Sequence, residues 1–404
     1  MSANVWPRVA LISLGGFFEF YDIFFAGYIA PGLVRSGIIA ATGIAGFVAA
    51  MFSGLFIGTA LVSFVADRFG RRTIFTYSLL WYTVASVIMA FQQHAFGLNL
   101  WRFISGIGVG VELVTIDTYL SELVPTNLRG RAFAINQAIQ FCAVPIVALL
   151  AWLLVPRAPL GLDGWRWVVL LGASGAIFVW WIRLRVPESP RWLAQRTRSE
   201  PQRAGFAEMW RPPYRTRSIM LIVFHLFQTV GFYGFSNWVP TLLIARGIAV
   251  TSTLRYTFFI AVAAPFGPLF AAAIADKLER KWQIVLSAFA IAVAGLLFGQ
   301  MNAAALLIFF GVLLTLGNNI LSFSCHAYQA ELYPTRIRAL AVGFVYSWSR
   351  ISVVFSSFVI GFALNRFGVP GVFTLIAGSM LIVMLAIGLL GPRTNNLPLE
   401  TISG

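Results

Sequence analysis

The chain has 404 residues, of which 59% are hydrophobic and only 11% are charged, and its mean hydropathy is +0.83. This composition excludes a soluble globular protein and predicts a polytopic membrane protein. A net charge of +15 would suggest nucleic-acid binding in a soluble protein, but most of the 29 Lys and Arg residues fall in loops on one side of the predicted spans. That asymmetry follows the positive-inside rule, so no nucleic acid is expected.

Twelve apolar segments of membrane length predict twelve spans. They lie near residues 9–33, 43–66, 73–93, 98–123, 132–155, 165–186, 218–244, 253–275, 283–301, 304–330, 339–364 and 370–391. The charge asymmetry places both termini in the cytoplasm of a bacterial-type cell, with the protein in the inner membrane. No cleaved signal peptide is expected, because the first segment is too long and carries acids. The two cysteines lie in apolar segments and predict neither a disulfide nor a metal site.

The first span carries two acids that a bilayer disfavours. Glu19 and Asp22 are three residues apart and therefore share one face of a helix. Two ionised carboxylates this close would repel each other, so we expect at least one of them to carry a proton. Tyr21 lies between them and is a candidate substrate contact.

The fourth span combines an arginine with an acid deep in the membrane. In a helix, Arg102 and Glu122 are separated by about 30 Å, one hydrocarbon thickness. Glu112 therefore falls near the midplane, where a charge costs at least about 2.5 kcal/mol on insertion scales. We expect it to face a cavity, a partner or a proton; the alternative is a buried acid that only bonds a neighbouring helix.

Spans 5 and 7 supply uncharged polar groups and aromatic rings for a substrate. The candidates are Gln137 and Gln140 in span 5 and Gln228, Tyr233, Asn237 and Trp238 in span 7. Amides within spans also hold helices together, and aromatic rings also pack, so both roles stay open at this point. Rings beside a few polar groups favour a flatter, more apolar molecule than a hexose.

The eleventh span carries Arg350, which lies about 18 Å into the membrane when counted along a helix from Arg338. An unpaired guanidinium at that depth is strongly unfavourable. Either an acid of the first half, Glu19 or Glu112, neutralises it, or the substrate brings a carboxylate. We favour carboxylate recognition, because arginine fits a carboxylate with two parallel hydrogen bonds.

The chain repeats itself after 209 residues. The pattern Y-x-x-E-L-x-P-T-x-x-R begins at Tyr119 and again at Tyr328, and Asp67 returns as Asp276 at the same shift. Such a repeat indicates a duplicated half, as in many transporters.

The domain boundaries follow from this repeat. The only long polar stretch runs from Arg183 to Arg217 and divides the halves. We predict an N-terminal bundle at 1–186, a cytoplasmic linker at 187–217, and a C-terminal bundle with a short tail at 218–404.

Four motifs resemble those of the major facilitator superfamily. They are G-x(8)-D-R-x-G-R-R at 58–72, R-x(3)-G-x-G-x-G from Arg102, Y-x-x-E-x-x-P-x-x-x-R-G-R at 119–131, and P-E-S-P-R-W-L at 187–193. Together they are similar to its sugar-porter and metabolite:proton symporter branches. The resemblance implies an all-α membrane protein with twelve transmembrane helices in two pseudo-symmetric six-helix bundles that rock about a central site. In the tail, Arg393 stands where the sugar-porter pattern has an acid, which argues against a strict sugar porter.

The resemblance also implies roles for charged residues. Proton-driven sugar porters pair an aspartate of span 1 with the arginine opening span 4, which correspond here to Asp22 and Arg102. Glu19 and Glu112 are then expected to relay that proton or to bind substrate. Gln137 resembles the glutamine that sugar porters use toward substrate hydroxyls.

Charged residues at the cytoplasmic ends of the spans resemble the family's gate. The matching residues are Asp67, Arg68, Gly70, Arg71, Arg72, Glu122, Arg129, Arg131, Asp276, Glu331 and Arg338. Glu331 is expected to pair with Arg338 and with the loop at 277–281. Exposed pairs are individually worth about 0–1 kcal/mol, so only the network could set a conformational equilibrium.

We therefore predict a monomeric secondary transporter without a cofactor, whose partners are protons, a small-molecule substrate and the bilayer. An enzyme is not expected, because the three histidines are dispersed and no phosphate loop is present. The predicted function is proton-coupled symport of a small organic acid or related metabolite. The alternatives are a proton-coupled sugar or polyol porter, a proton-driven drug exporter and, from a different class, a transporter-like sensor that binds ligand without moving it.

Overall fold

The computed structural model describes residues 6–69, 71–124, 128–184, 206–274 and 277–394. Within these residues the chain forms fourteen α-helices and no β-strand. The helices are α1 (Trp6–Arg35), α2 (Ile44–Phe69), α3 (Arg71–Ala90), α4 (Ala95–Leu123), α5 (Arg129–Phe141), α6 (Ala143–Leu154), α7 (Gly164–Arg183), α8 (Tyr214–Ser236), α9 (Val239–Ile244), α10 (Val250–Ala261), α11 (Phe266–Ile274), α12 (Arg280–Gln300), α13 (Ala304–Glu331) and α14 (Thr335–Leu390).

Ten stretches of the described chain are long and apolar enough to cross a membrane. The last of them, Leu340–Leu390, holds two spans, because Gly368 has a positive φ of 67° and interrupts α14 there. The 29-residue α4 adds one further span. The described helices thus supply twelve spans, which confirms the prediction of an all-α, multi-pass membrane protein.

Three predicted spans are interrupted, which corrects the continuous segments expected from hydropathy. Regular α-helix stops at Cys142 between α5 and α6, at 237–238 between α8 and α9, and at 262–265 between α10 and α11, although Cys142, Trp238 and Val262 keep helical dihedral angles. Pro145, Pro240 and Pro265 lie at these breaks or within three residues of them. Proline lacks the N–H that a helix interior needs but fits the first turn of a new helix, which explains why each interruption lies where it does.

Contacts divide the chain into two compact units. The first comprises Met1–Glu200 and Asn237–Pro265, and the second comprises Pro201–Ser236 and Phe266–Gly404. The first unit therefore holds α1–α7, α9 and α10, in which α1 packs against α5, α6, α7 and α9. The second holds α8 and α11–α14, in which α14 packs along α8 and α12. The halves at 1–186 and 218–404, inferred from the repeat, stay a prediction.

Four glycines bring α2 and α4 into close contact within the first unit. Gly54 and Gly58 on α2 face Gly106 and Gly110 on α4, and a Cβ atom at any of them would overlap backbone atoms of the other helix. Small residues spaced four apart are the usual device that lets two membrane helices approach this closely. We call these four residues the glycine seam. It fixes the position of α4, which carries two of the charged residues of the site.

Replacing Gly106 with alanine is expected to lower the thermal stability of the purified protein. The added methyl group meets backbone, which cannot move aside as a side chain would, and such overpacking costs about 1–3 kcal/mol. The matched control is Gly378→Ala in α14, where no atom lies within 4 Å of the added Cβ. Thermal unfolding in detergent should show a lower midpoint for the first variant only; equal midpoints would contradict the close approach of α2 and α4.

Candidate functional site

An aspartate of α1 and an arginine of α4 form an ion pair inside the first unit. Arg102 Nη1 donates to Asp22 Oδ2 at 2.8 Å, and Arg102 Nη2 donates to the Asp22 backbone carbonyl at 2.6 Å. Ser86 of α3 donates to Asp22 Oδ1 at 2.7 Å, and Ser105 of α4 donates to Oδ2 at 3.0 Å. The structure thus brings together the two residues matched to the proton-coupling pair. The two serines, which orient the carboxylate, were not anticipated from the sequence.

The pair is closed off from solvent. Arg102 is 0% exposed and Asp22 is 4% exposed. The guanidinium carbon lies 4.3 Å from the ring centroid of Phe25 and 5.4 Å from that of Phe47, where the aromatic faces attract the cation. A buried charge is tolerated only while its partner is charged. Adding a proton to Asp22 therefore removes the partner of Arg102, so this site can link protonation to the position of a side chain.

A small cavity adjoins the Asp22 carboxylate. It has a volume of about 10 Å³. Its lining includes Tyr21 of α1, Tyr82 of α3 and small residues of α7. The Tyr21 hydroxyl donates to the carbonyl of Val168 at 2.6 Å, and its ring packs against Gly172. The Tyr21 hydroxyl thus ties α1 to α7, and the predicted contact between Tyr21 and substrate remains a prediction.

A second ion pair lies on α4, ten residues beyond Arg102. Arg183 Nη2 donates to Glu112 Oε1 at 2.5 Å, and both side chains are 0% exposed. Arg183 Nη1 also donates to the carbonyl of Phe75 at 2.7 Å, and its guanidinium lies over the Phe75 ring at 3.6 Å. Arg183 lies both in the predicted span 165–186 and at the start of the polar stretch 183–217, and the structure places it at the end of α7, where it is buried. Hydropathy missed it, since an arginine at the end of an apolar segment suits a loop equally well.

Replacing Glu112 with glutamine is expected to destabilise the protein strongly. The change leaves the buried Arg183 guanidinium without an opposite charge, and breaking a buried pair in this way costs about 3–5 kcal/mol. The double variant Glu112→Leu, Arg183→Met removes both charges and should recover much of that loss. Thermal unfolding of the single and double variants checks this, and equal loss in both would contradict a direct pairing.

Other residues predicted for the first unit lie around α1. Glu19 is 1% exposed and lies one turn of α1 before Asp22. Gln140 is 7% exposed and its side chain packs against Gly16 of α1, while Gln137 is half-buried on the same helix, α5. The roles assigned to these three residues stay predictions.

Two further candidates come after α8 and also belong to the first unit. Asn237 is 0% exposed and Trp238 is 3% exposed. The backbone of Asn237 packs closely against Gly27 of α1, where a Cβ would overlap it. Neither side-chain atom of the Asn237 amide has a hydrogen-bond partner among the described residues. Their proposed contact with substrate stays a prediction.

Arg350 lies in the second unit, on α14, and is 1% exposed. Its Nη1 donates to the Tyr233 hydroxyl at 3.0 Å, and its Nη2 donates to the Tyr346 hydroxyl at 2.7 Å. The guanidinium carbon also lies 4.8 Å from the centroid of the Tyr346 ring. Tyr346 was missed in the sequence, although it precedes Arg350 by four residues and so shares its helix face.

Two histidines and a glutamine surround Tyr346. The Gln329 amide oxygen lies 2.9 Å from Nε2 of His225, and its nitrogen lies 3.3 Å from Nδ1 of His326. The rings of His225 and His326 contact the Tyr346 ring at 5.3 and 5.2 Å between centroids. Gln228, a predicted substrate contact, is 7% exposed on α8. The two histidine rings thus pack against the tyrosine whose hydroxyl accepts from Arg350.

Most of the predicted gate falls outside the described part of the structure. Outside it lie Gly70, Asp276 and the side chains of Asp67, Arg68, Arg71, Arg72, Glu122 and Arg129. Arg131 is exposed. Glu331 pairs with Arg280, which belongs to the loop predicted for it, whereas Arg338 Nε donates to the carbonyl of Tyr333 at 3.1 Å. Among the described residues, no three His, Cys, Asp or Glu side chains form a group that could hold a metal.

Comparison with known proteins relates the whole chain to transporters. A family model described as "Sugar (and other) transporter" matches residues 9–229, and one described as "Major Facilitator Superfamily" matches residues 254–401. A metabolite transport protein of Bacillus subtilis is 32% identical, over 94% of this chain and 90% of that protein. The niacin transporter NiaP of Acinetobacter baylyi is 27% identical, over 97% and 95%. The crystal structure of a D-xylose–proton symporter superposes with a TM-score of 0.79 at 19% identity, over 97% and 99% of the two chains.

Proposed function

Since the chain belongs to the major facilitator superfamily, in its sugar-transporter-like branch, we propose that it carries a small organic acid or related metabolite across the membrane together with protons. It is a transporter and not an enzyme, and it has the all-α fold of that superfamily. Transport is proposed to proceed by alternating access, with the charged helix ends, including the Glu331–Arg280 pair, acting as a gate.

The observation that carries the choice of substrate is the environment of Arg350. Its two terminal nitrogens each donate to a tyrosine hydroxyl, from Tyr233 and Tyr346. A carboxylate presents two oxygens at a similar spacing and binds a guanidinium more strongly than neutral hydroxyls do. A substrate carboxylate can therefore take the place of the two hydroxyls or bind beside them. The similarity to a niacin transporter supports this substrate class, because niacin is itself a carboxylic acid.

The Asp22–Arg102 pair is the proposed proton-coupling site. A carboxylate and a guanidinium that are both buried favour the charged pair in one state and a protonated carboxyl in another. The fold shared with a D-xylose–proton symporter supports coupling to protons rather than to another ion. Glu19 and Glu112 are proposed as further proton-carrying groups.

A proton-coupled sugar or polyol porter is the second candidate. It is favoured by the buried amides of Gln140 and Gln228, which suit substrate hydroxyls, and by the shared fold with a xylose carrier. In that case Arg350 would pair with an acid of the protein itself and not with the substrate. The drug exporter and the ligand sensor remain alternatives, and no contact among the described residues favours either of them.

The proposed setting is the inner membrane of a bacterium, with both termini in the cytoplasm. The basis is the distribution of Lys and Arg among the loops. The transporter is proposed to act as a monomer.

Internal pH in proteoliposomes tests the proposed function directly. The purified protein is reconstituted, and nicotinate, benzoate, succinate, xylose and inositol are added outside in turn. Acidification of the interior with a carboxylate, faster than the passive entry of the undissociated acid into protein-free vesicles, supports proton-coupled uptake of an organic acid. Acidification with xylose or inositol alone would move the protein to the sugar-porter class, and uptake without any pH change would rule out proton coupling.

A further inference from the structure

One face of α3 runs between the two buried ion pairs of the first unit. Ser78, Tyr82 and Ser86 are spaced four residues apart and therefore lie on the same face. Ser86 donates to the Asp22 carboxylate at 2.7 Å. Ser78 donates at 3.5 Å to the carbonyl of Phe75, which also accepts from Arg183, the partner of Glu112. Tyr82 lies one turn, about 6 Å along the helix, from each serine. Its position on α3 is therefore midway between the two acids.

The contacts of Tyr82 with α4 place it at the same level. Gly108 of α4 packs directly against Tyr82. On α4, Gly108 lies between Arg102, which pairs with Asp22, and Glu112, which pairs with Arg183. The contacts on α3 and on α4 therefore both place Tyr82 between the two ion pairs.

The Tyr82 side chain is buried in a way that packing alone does not explain. It is 2% exposed, and its hydroxyl oxygen has no hydrogen-bond partner among the described residues. Burying a hydroxyl without a partner costs about 1–3 kcal/mol, which a phenylalanine at this position would avoid. The tyrosine also lines the small cavity beside Asp22, whose volume of about 10 Å³ is close to the minimum that holds one water molecule.

We propose that the Tyr82 hydroxyl carries a proton between Asp22 and Glu112. This inference rests on the proposed proton symport and adds a residue to it. The Asp22 carboxyl gives its proton to a water molecule in the cavity, and that water gives a proton to the Tyr82 oxygen. The Tyr82 hydroxyl and Glu112 Oε2 both lack a hydrogen-bond partner among the described residues; the tyrosine side chain turns until the two are in hydrogen-bonding distance and passes its own phenolic proton to the Glu112 carboxylate. Asp22 ends as a carboxylate and Glu112 as a carboxylic acid, while the water and the tyrosine are unchanged.

The transfer has a mechanical consequence on each side. A deprotonated Asp22 attracts Arg102, so the α1–α4 contact tightens. A protonated Glu112 no longer neutralises Arg183, so the α4–α7 contact weakens. Glu19 is the other acid whose field acts on the Tyr82 hydroxyl, and it offers a competing route along α1. The position of Tyr82 between the pairs favours the route through its hydroxyl.

The test compares two kinds of transport in Tyr82→Phe, which removes one oxygen atom and keeps the ring. Proteoliposomes are supplied with whichever of nicotinate, benzoate and succinate acidifies the interior of wild-type vesicles most. The maximum rate of proton-coupled uptake should fall at least about 100-fold, the usual loss when a positioned proton carrier is removed. Exchange of labelled for unlabelled substrate across the membrane, and the KM for that substrate, should change less than about 3-fold, because neither requires net proton transfer.

Two further variants separate proton transfer from packing. Tyr28→Phe removes the hydroxyl of another buried tyrosine of the same unit, 5% exposed and outside the cavity lining, and should behave as wild type. Tyr82→His should recover part of the coupled rate, because an imidazole also carries protons. The inference would be overturned if coupled uptake is unchanged in Tyr82→Phe, or if exchange in that variant falls as much as coupled uptake does. It would also be overturned if Glu19→Gln loses coupling while Tyr82→Phe keeps it. A wild-type protein that acidifies with nothing in the panel overturns the proposed function and this inference together.

Discussion

Replacing Asp22 with asparagine is expected to abolish proton-driven accumulation of the substrate while leaving exchange intact. Asparagine keeps the shape of the side chain, and its single amide oxygen can still accept from Arg102, but it cannot bind or release a proton. The rate of uptake driven by an inward proton gradient should fall at least about 100-fold. Labelled substrate should still exchange across the membrane at a rate comparable to that of wild type.

Asp163→Asn provides a control that also removes an ion-paired aspartate of the first unit. Asp163 Oδ2 accepts from Arg166 Nε at 3.4 Å, but the aspartate side chain is 43% exposed. An exposed pair of this kind contributes little, so the control should accumulate substrate as wild type does. Full accumulation by the Asp22→Asn protein would show that this carboxylate is not the coupling group.

Removing the guanidinium of Arg350 is expected to abolish uptake of carboxylates. Truncating one partner of a buried, hydrogen-bonded charge pair costs about 2–5 kcal/mol, and a loss near 3 kcal/mol corresponds to about 100-fold in affinity. Arg350→Ala should therefore raise the KM for the carboxylate about 100-fold or remove uptake altogether. Arg350→Lys should recover only part of it, since an ammonium cannot form two parallel hydrogen bonds.

Arg366→Ala is the matched control for Arg350, because Arg366 lies on the same helix but is exposed. Its uptake should equal that of wild type. Tyr233→Phe and Tyr346→Phe should give smaller increases in KM, because each removes one neutral partner of the guanidinium. Uptake of a carboxylate that survives in Arg350→Ala would assign Arg350 to an internal ion pair and favour the sugar or polyol alternative.

The Asp22–Arg102 pair could be predicted from the sequence, but the partner of Glu112 could not. Asp22 and Arg102 each match a motif position, and counting residues placed both at a similar membrane depth. Glu112 was expected to need a partner, because an unpaired charge at the midplane is unfavourable. Its partner, Arg183, ends an apolar segment, and composition alone cannot tell whether such a residue turns inward or enters the following loop.

The number of spans could be predicted, whereas their interruptions could not. Hydropathy averages over a window, so a two-residue break such as that at Trp238 leaves the average unchanged. The prolines beside the breaks were visible, but a proline is equally compatible with a continuous helix such as α1, which contains Pro31. Cross-helix contacts such as those of Tyr346 with two histidines depend on the positions of three helices, which no local pattern specifies.

The glycine seam limits which helices of the first unit can move relative to α4. Because α2 and α4 touch through backbone atoms, they cannot slide past each other without a clash, and they must move as one body. Arg102 and Glu112 therefore keep a fixed separation of about 15 Å along α4 in every conformation that preserves the helix. If the proposed proton binds at either end, we expect it to displace α1 or α7 relative to α2 and α4, which stay together.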